Sequence, residues 1–516
     1  MPKKKTKKAP KFLIKSKLSS GIILFVILLA FSLLAVFMGQ KLLEPTNLGK
    51  ILPAEQTLGF ITIDTTETDI HESYTEPKYE EENWFKGQFA IAYLTDSIDQ
   101  IQQAQFFSYI DRKLLSTFLD ETAINQEPYF NSIIYTLGEN IYAAKIANYL
   151  ATSDSPETIQ LIIDSASGDS SNLRSLSAYN TIANNLPYNS TVVTYWDLQK
   201  NQNFIQDYVP LHEILPEELI EPVLSIFTAF GAAGHAEADG FQVQTYTAVQ
   251  KNLLQNGYYF GFLNKYRADL AKYIPENPTF FWGGYDLHSE LDHLETLLNQ
   301  FHSSAGIIFE AILRGKVQEY FGSNTSLEED VYPMLGEEFA LAAYEGEYLA
   351  LIALQDIESQ QIHIDTLKKG FLEQQIYSDP YIQTYTLEDG SVGQELVADL
   401  TEISSSEMTY EGVNIDVFSL SSGDVLGYMT VFADNFVFAT SLPVLEHSID
   451  LMKSPNGSLA ASPDMESIND IMVSADEASF IDLESLEFEF LPDFSSISST
   501  KNLFNDGIST FHVIKY

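Results

Sequence analysis

The stretch "LPAEQTLGFITID", Leu52 to Asp64, is echoed by "IPENPTFFWGGYD", Ile274 to Asp286. Both carry Pro, three residues, Thr, six residues, Asp. A phrase that returns at long interval constrains a chain more than composition does, because a repeated phrase marks a repeated structural unit. A third version, "LPYNSTVVTYWDL" from Leu186, has one residue fewer before Asp197, and a worn fourth, "SADEASFIDL", ends at Asp482 and Leu483. The surrounding blocks keep the same order. "ATS" at Ala151–Ser153 precedes "PETIQLIIDSASGDSSNLRSLSAY", and "ATS" at Ala439–Ser441 precedes "PVLEHSIDLMKSPNGSLAASPDM". "FKGQFAIAY" at Phe85 parallels "LGEEFALAAY" at Leu335, and each half finishes on an Asp-Gly strand, at Asp239 and at Asp506. Residues 52–251 and 272–516 therefore read as diverged copies joined by a connector, 252–271.

The local patterns give these copies an α+β class, with antiparallel sheets and helices grouped on one face. "EEFALAAYEGEYLALIALQD" is two apolar runs around Glu345-Gly346, a hairpin signal. "VLGYMTVFADNFVFATS" turns near Asp434-Asn435, and its counterpart near Gly138-Glu139-Asn140. "FQVQTYTAV" alternates Phe241, Val243, Thr245, Thr247 and Val249 on one face. Asp154 or Ser155 caps a helix whose first turn holds Pro156 and whose stripe is Ile159, Ile162 and Ile163; Ser441 and Pro443 repeat that arrangement. "PEELIEPVLSIFTAF" from Pro216 reads as an amphipathic helix, and the Gly-rich "GAAGHAEADG", Gly231 to Gly240, as the turn into the next strand. In the repeated phrase, Pro stiffens the turn before an inner strand and the terminal Asp caps the next helix.

"GIILFVILLAFSLLAVFMG", Gly21 to Gly39, holds no charge. As a helix it reaches roughly 28 Å, close to a hydrocarbon core of about 30 Å. Eight lysines precede Leu18 and no acid occurs before Glu44, which places the N-terminus in the cytoplasm. A cleaved signal peptide is the rival reading; against it, the run is longer than such an apolar region usually is, and Phe37 to Leu42 make a poor cleavage site. The expected layout is a basic cytoplasmic tail (1–18), a transmembrane anchor (19–40), a tether (41–51), module 1 (52–251), the connector (252–271) and module 2 (272–516). Thr65 to Asn83 is polar and acidic and reads as a long exposed loop.

The chain carries 72 acidic against 28 basic residues, a net charge of −44. Such a surface repels nucleic acid and anionic lipid heads. It also suits solubility in a salty medium. The absence of cysteine removes disulfides, thiolate catalysis and thiolate-bound metal.

The sequence contains no phosphate loop, no G-x-S-x-G elbow, no H-E-x-x-H and no EF-hand loop. No cofactor is called for, and no catalytic residues can be named. The best metal candidate lies in "DLHSELDHLETLLNQFH": on a helix, His288, Asp292 and Glu295 share a face at i, i+4 and i+7. Imidazole with two carboxylates suits zinc or manganese. The alternative is a solvated face opposite Leu287, Leu291, Leu294 and Leu298.

Three blocks carry a family resemblance: "ILPAEQTLGFITID" after the anchor, "YPMLGEEFALAAYEGEYLALIALQD", and "YEGVNIDVFSLSSGDVLGYMTVFADNFVFATSLPVLEHSID" with "SLAASPD" after it. With them the chain resembles the bacterial domain-of-unknown-function family 3352. The resemblance implies an envelope-exposed protein without assigned activity and supplies no functional residues. The expectation is a single-pass, membrane-anchored extracytoplasmic protein of the cell envelope. It would be non-enzymatic and bind an envelope protein, a peptide or a wall component, and no nucleic acid. The alternatives are an envelope hydrolase with a dispersed acidic site and a cation-binding surface protein. A metal site on the His288 helix predicts that zinc raises Tm and that His288→Ala removes the rise; an equal rise in both proteins would sink it.

Overall fold

The computed structural model describes residues 48–64, 85–96, 100–109, 111–187, 190–202, 205, 217–237, 239–250, 266–301, 304–374, 376–377, 381–388, 390–463, 465, 475–486, 494–504 and 506–516. The anchor at 19–40, the basic tail, the Thr65–Asn83 loop and most of the connector lie outside the described residues. No helix among the described residues is long and apolar enough to cross a membrane.

The first half supplies β1 (Thr57–Asp64), β2 (Phe85–Thr95), β3 (Ile101–Tyr109), α1 (Arg112–Thr122), β4 (Asn125–Tyr129), β5 (Ser132–Gly138), β6 (Ile141–Ile146) and β7 (Tyr149–Ser153). It continues with α2 (Pro156–Ser167), α3 (Ser177–Asn185), β8 (Val192–Asp197), α4 (Glu217–Ile226), β9 (Phe227–Glu237) and β10 (Gly240–Val249). Next come β11 (Phe280–Tyr285), α5 (Leu287–Phe301), α6 (Ala305–Phe321), β12 (Glu338–Tyr344), β13 (Glu347–Ala353) and α7 (Ile357–Leu372). Four strands come after α7: β14 (Ile376–Tyr377), β15 (Tyr381–Thr386), β16 (Val392–Val397) and β17 (Leu400–Thr401). The chain then runs through β18 (Ile403–Tyr410), β19 (Val413–Leu420), β20 (Val425–Phe432), β21 (Asn435–Ala439), α8 (Leu442–Leu451), β22 (Glu477–Asp482), β23 (Ser496–Phe504) and β24 (Gly507–Lys515).

By contacts the described chain forms two compact units, each discontinuous in sequence. The first holds 48–266, 296–306 and 464–516; the second holds 267–295 and 307–463. These units and the sequence repeats are different divisions of the chain. The first unit is one antiparallel sheet in the order β4-β5-β6-β7-β3-β2-β1-β8-β9-β10-β24-β23-β22. The second runs β11-β12-β13-β21-β20-β19-β18. The segment β1-β2-β3-β7-β6-β5-β4 therefore has the same order as the whole second-unit sheet.

The repeated phrase does the same job in both units. Leu173 N–H donates to the Leu52 carbonyl at 3.0 Å and Ala54 N–H to Ser171 at 2.8 Å. In the second unit Leu459 N–H donates to Ile274 at 2.8 Å and Glu276 N–H to Gly457 at 2.9 Å. The prolines sit at the matching bridges, Pro53 opposite Asn172 and Pro275 opposite Ser458. Three of the terminal aspartates cap as expected. Asp197 accepts from Lys200 N at 3.1 Å, Asp286 from Ser289 N at 3.1 Å, and Asp482 from Glu484 N at 3.0 Å.

Helices lie on both faces of the first sheet, not grouped on one. Along β7, Leu150 joins the core under α1 with Leu115, Leu119, Tyr135 and Ala143, while Ala151 joins the core with Ile159, Ile162 and Tyr179 of α2 and α3. Alternate residues of a strand point to opposite faces, so a strand that buries consecutive residues, as β7 does from Tyr149 to Ala151, needs cover on both. The Ser155 cap is as expected: its hydroxyl accepts from Thr158 N, and Pro156 opens α2.

Two local readings are corrected. Phe227 to Phe230 belong to β9, because the apolar pattern runs from α4 straight into a strand with no breaker. Gly231 to Glu237 are the rest of β9, not a turn. Their small side chains sit in the sheet against α3, and pairing with β8 and β10 satisfies the backbone.

The pairing of β10 with β24 is nearly self-symmetric. Asp239-Gly240 and Asp506-Gly507 begin the two strands, and their equivalent residues Gln244 and Phe511 lie directly opposite each other. Gly240 has φ +155°, and a Cβ there would run into the Ile514 carbonyl; at Gly507 it would run into Tyr246 and Thr247. Only glycine lets the strands close at these points. Gly240→Ala is expected to cost more than about 3 kcal/mol in urea unfolding, against about 1 kcal/mol for Ser155→Ala. A Gly240→Ala loss no larger than the cap's would mean this seam does not form in solution.

Candidate functional site

The acidic helix face is α5, in the second unit as far as Glu295. His288 stacks on Tyr332, ring centroids 4.3 Å apart and planes 23° off parallel. Asp292 is exposed and Glu295 half-buried. Close by, Arg314 of α6 holds Glu310 at 2.7 Å and Glu328 at 2.8 Å. Burial raises the Glu295 carboxyl above its ordinary value, and Glu310 and Asp292 add to the rise. Burial pushes Tyr332 to about 12, with Glu295 and Glu328 contributing. Asp292 and Glu295 thus feel one another, while the His288 ring is engaged with Tyr332. Among the described residues, no group of three or more His, Asp or Glu is placed to hold one metal ion.

A cavity of about 230 Å³ opens elsewhere in the second unit, lined by Arg267, Lys272, Tyr285, Glu337, Glu338 and Asn435 among others. Glu338 opens β12 and is 5% exposed. Its Oε1 accepts the Leu270 N–H at 2.7 Å, at the start of the 3₁₀ turn Leu270–Tyr273. Burial, aided by Asp269, lifts its carboxyl to about 7, against the pull of the backbone N–H donors and Lys272. Tyr285 donates to Glu337 Oε2 at 2.5 Å, and that bond, with burial, raises the phenol to about 12. Lys272 pairs with Asp269 at 3.3 Å. The arrangement offers a carboxyl that exchanges its proton near neutrality beside a guanidinium and a phenol.

A hydroxyl–imidazole pair lies in the first unit, where Ser499 and His512 face each other across β23 and β24 with Oγ and Nδ1 2.7 Å apart. Each is 1% exposed, and burial holds the imidazole down at about 3. A pair sealed inside a sheet meets no substrate.

An exposed apolar surface lies on an arm between α7 and β18. The pairs β14–β17 and β15–β16 form two separate two-stranded sheets. In the first unit α1 ends at Thr122 and β4 begins at Asn125, leaving no room for such an arm. Ile382, Val392 and Leu396 are 65%, 68% and 71% exposed, and Tyr381 and Tyr385 also face solvent.

With these features placed, the comparison with known families decides membership. The family described as protein of unknown function DUF3352 matches residues 82–362, more than half of the chain. The chain belongs to the DUF3352 family. The matched part of this DUF3352 chain includes α5, Glu337 and Glu338; the arm and Asn435 lie beyond it. No curated protein matches the chain. Among solved structures, crystal form III of TP0453 is similar at TM-score 0.27 and 8% identity, covering 42% of this chain and 88% of that one. At that level two chains need not share a fold.

Sequence reasoning named the α5 face and missed Glu338, one acid among 72. The usable signal was alternation: Glu338 shares a strand face with the buried Ala340 and Ala342. The raised carboxyl makes a signed prediction. The folded state holds the Glu338 proton up to about 7 and the unfolded chain only to 4.5, so Glu338 favours folding below 4.5 and that contribution is lost as pH rises through 7. The span corresponds to about 3 kcal/mol. Glu338→Gln, which keeps the Leu270 acceptor, should therefore raise stability at pH 8 relative to the parent and flatten the pH 4.5–7 slope. Parallel curves for both proteins would refute a buried, titrating Glu338.

Proposed function

We propose that this DUF3352 chain is a membrane-anchored, extracytoplasmic binding or scaffold protein of the bacterial cell envelope, built from two diverged copies of one module. The shared strand order and the matching hydrogen bonds at Leu52 and Ile274 support duplication. The uncharged run from Gly21 to Gly39 behind eight lysines supports the anchor and its direction.

The observation that carries the binding reading is the arm. Monomeric proteins rarely expose contiguous large apolar side chains without a use for them. Here they stand on a hairpin with open strand edges, inserted into the second unit with no counterpart in the first. The Glu338 cavity gives the hydrolase reading one favourable feature, a carboxyl near neutrality. The sealed Ser499–His512 pair gives it nothing.

Two measurements test the proposal. The full chain should stay with membranes through an alkaline carbonate wash, and a chain starting at Lys41 should not; release of both would remove the anchor. A photo-crosslinker at Leu396 in the native bacterium should capture an envelope partner that one at Glu121, on α1, does not. No product from Leu396, or the same product from both positions, would remove the binding reading.

A further inference from the structure

We propose that the arm binds a strand-forming peptide segment in which cationic and apolar side chains alternate. This rests on the binding reading above and names the partner's chemistry. The register of β15 with β16 sorts the hairpin into two unlike faces, since directly opposed residues of an antiparallel pair share a face. Ile382, Leu396 and Val392 lie on one, with Thr384, Gln394 and Thr386, and that face carries no charge. Tyr381, Gln383, Tyr385, Glu395 and Val397 lie on the other, and the Tyr381 hydroxyl reaches Asp399 Oδ2 at 3.2 Å. The second face is therefore aromatic and anionic.

Among the described residues β15 pairs with β16 alone, so each strand keeps one open backbone edge. Natural edges are commonly blunted by lysine or an inward charge. Residues 376–402 contain six acids, at Asp379, Glu388, Asp389, Glu395, Asp399 and Glu402, and no lysine, arginine or histidine. An open edge of this kind accepts an added strand, with the main chain giving affinity and alternate side chains giving specificity.

Charge selects the occupant. A second copy of this chain would bring the same anionic face and a net charge of −44, and nucleic acid or an anionic lipid surface would repeat that sign. A strand added to the open edge of β16 with Lys or Arg beside Glu395 puts its alternate residues on the face of Leu396 and Val392. The partner is then a segment of a basic envelope protein or peptide patterned cationic–apolar–cationic–apolar.

The test uses the full chain in nanodiscs and three fluorescent octapeptides: alternating Lys-Val, the same composition as a Lys block followed by a Val block, and alternating Glu-Val. Fluorescence anisotropy is read at low and at physiological salt. The alternating Lys-Val peptide should bind at least about tenfold tighter than the block peptide. The double change Ile382→Thr and Leu396→Thr should remove that margin while leaving Tm unchanged, because both side chains are exposed and threonine suits a strand. Glu395→Gln should weaken binding and reduce its salt dependence. Equal binding of the alternating and block peptides, or equal binding by the parent and the double variant, would overturn the proposal. If Leu396 still captures a partner in cells that the Lys-Val peptide fails to displace, the partner chemistry is wrong and the binding reading stands. If Leu396 captures nothing and no peptide binds, both fall.

Discussion

Each unit depends on a clasp made by one backbone pair: the residue before the repeated proline accepts from a leucine more than a hundred residues later, at Leu52 and Leu173 and again at Ile274 and Leu459. The clasp fixes where β1 and β11 begin. A one-residue slip in a strand turns its whole side-chain set to the opposite face. β1 lies between β2 and β8 and buries seven of its eight residues, so such a slip is ruled out on both sides at once. The threonine and aspartate of the phrase finish the job. Thr57 Oγ1 donates to the Pro53 carbonyl at 2.6 Å, and the aspartates at the far ends of β8 and β11 close the next turns.

That is why so much of the fold could be read from the letters. The phrase is local, its residue types have narrow conformational uses, and it recurs. The Ser155-Pro156 start of α2 and the hairpin at Glu345-Gly346 are local in the same way. The parts that could not be read depend on distant neighbours. β9 carries Phe-Thr-Ala-Phe and a run of small residues that look like a helix end and a turn until β8 and β10 flank them. The strand Ser496–Phe504 looks like a solvated edge, yet Ser498, Ser499, Thr500 and Lys501 are all buried, and Lys501 meets Glu477 across the strands at 2.5 Å. The sheet supplies partners for part of this polar interior, His512 for Ser499 and Glu477 for Lys501.

The acidity of the chain acts differently in its two settings. Inside, single acids are met one by one: Lys501 pairs with Glu477, the Leu503 N–H donates to Asp476 at 2.6 Å, and burial lifts the Glu338 carboxyl to about 7. On the arm, residues 376–402 hold six acids and no basic residue, and the apolar side chains lie among those acids. The candidate sites divide in the same way. The Glu338 cavity is a place where burial has changed a charge, and the arm is a place where acids gather without a basic residue in their own segment.

The seam between β10 and β24 also orders events in time. Its two strands lie far apart in the chain: Tyr246 on one bonds Asp506, beside the other, across 260 residues. A chain made from its N-terminus must produce β10 long before β24 exists. In that interval the edge of β10 stands open, a template for wrong pairing and a slow, non-local closure by the physics of loop entropy. The second unit lies within the interval and is built wholly from residues already made when the seam can close. The seam to β24 therefore closes late in assembly, and the interval before closure is when a chaperone or protease has its best access.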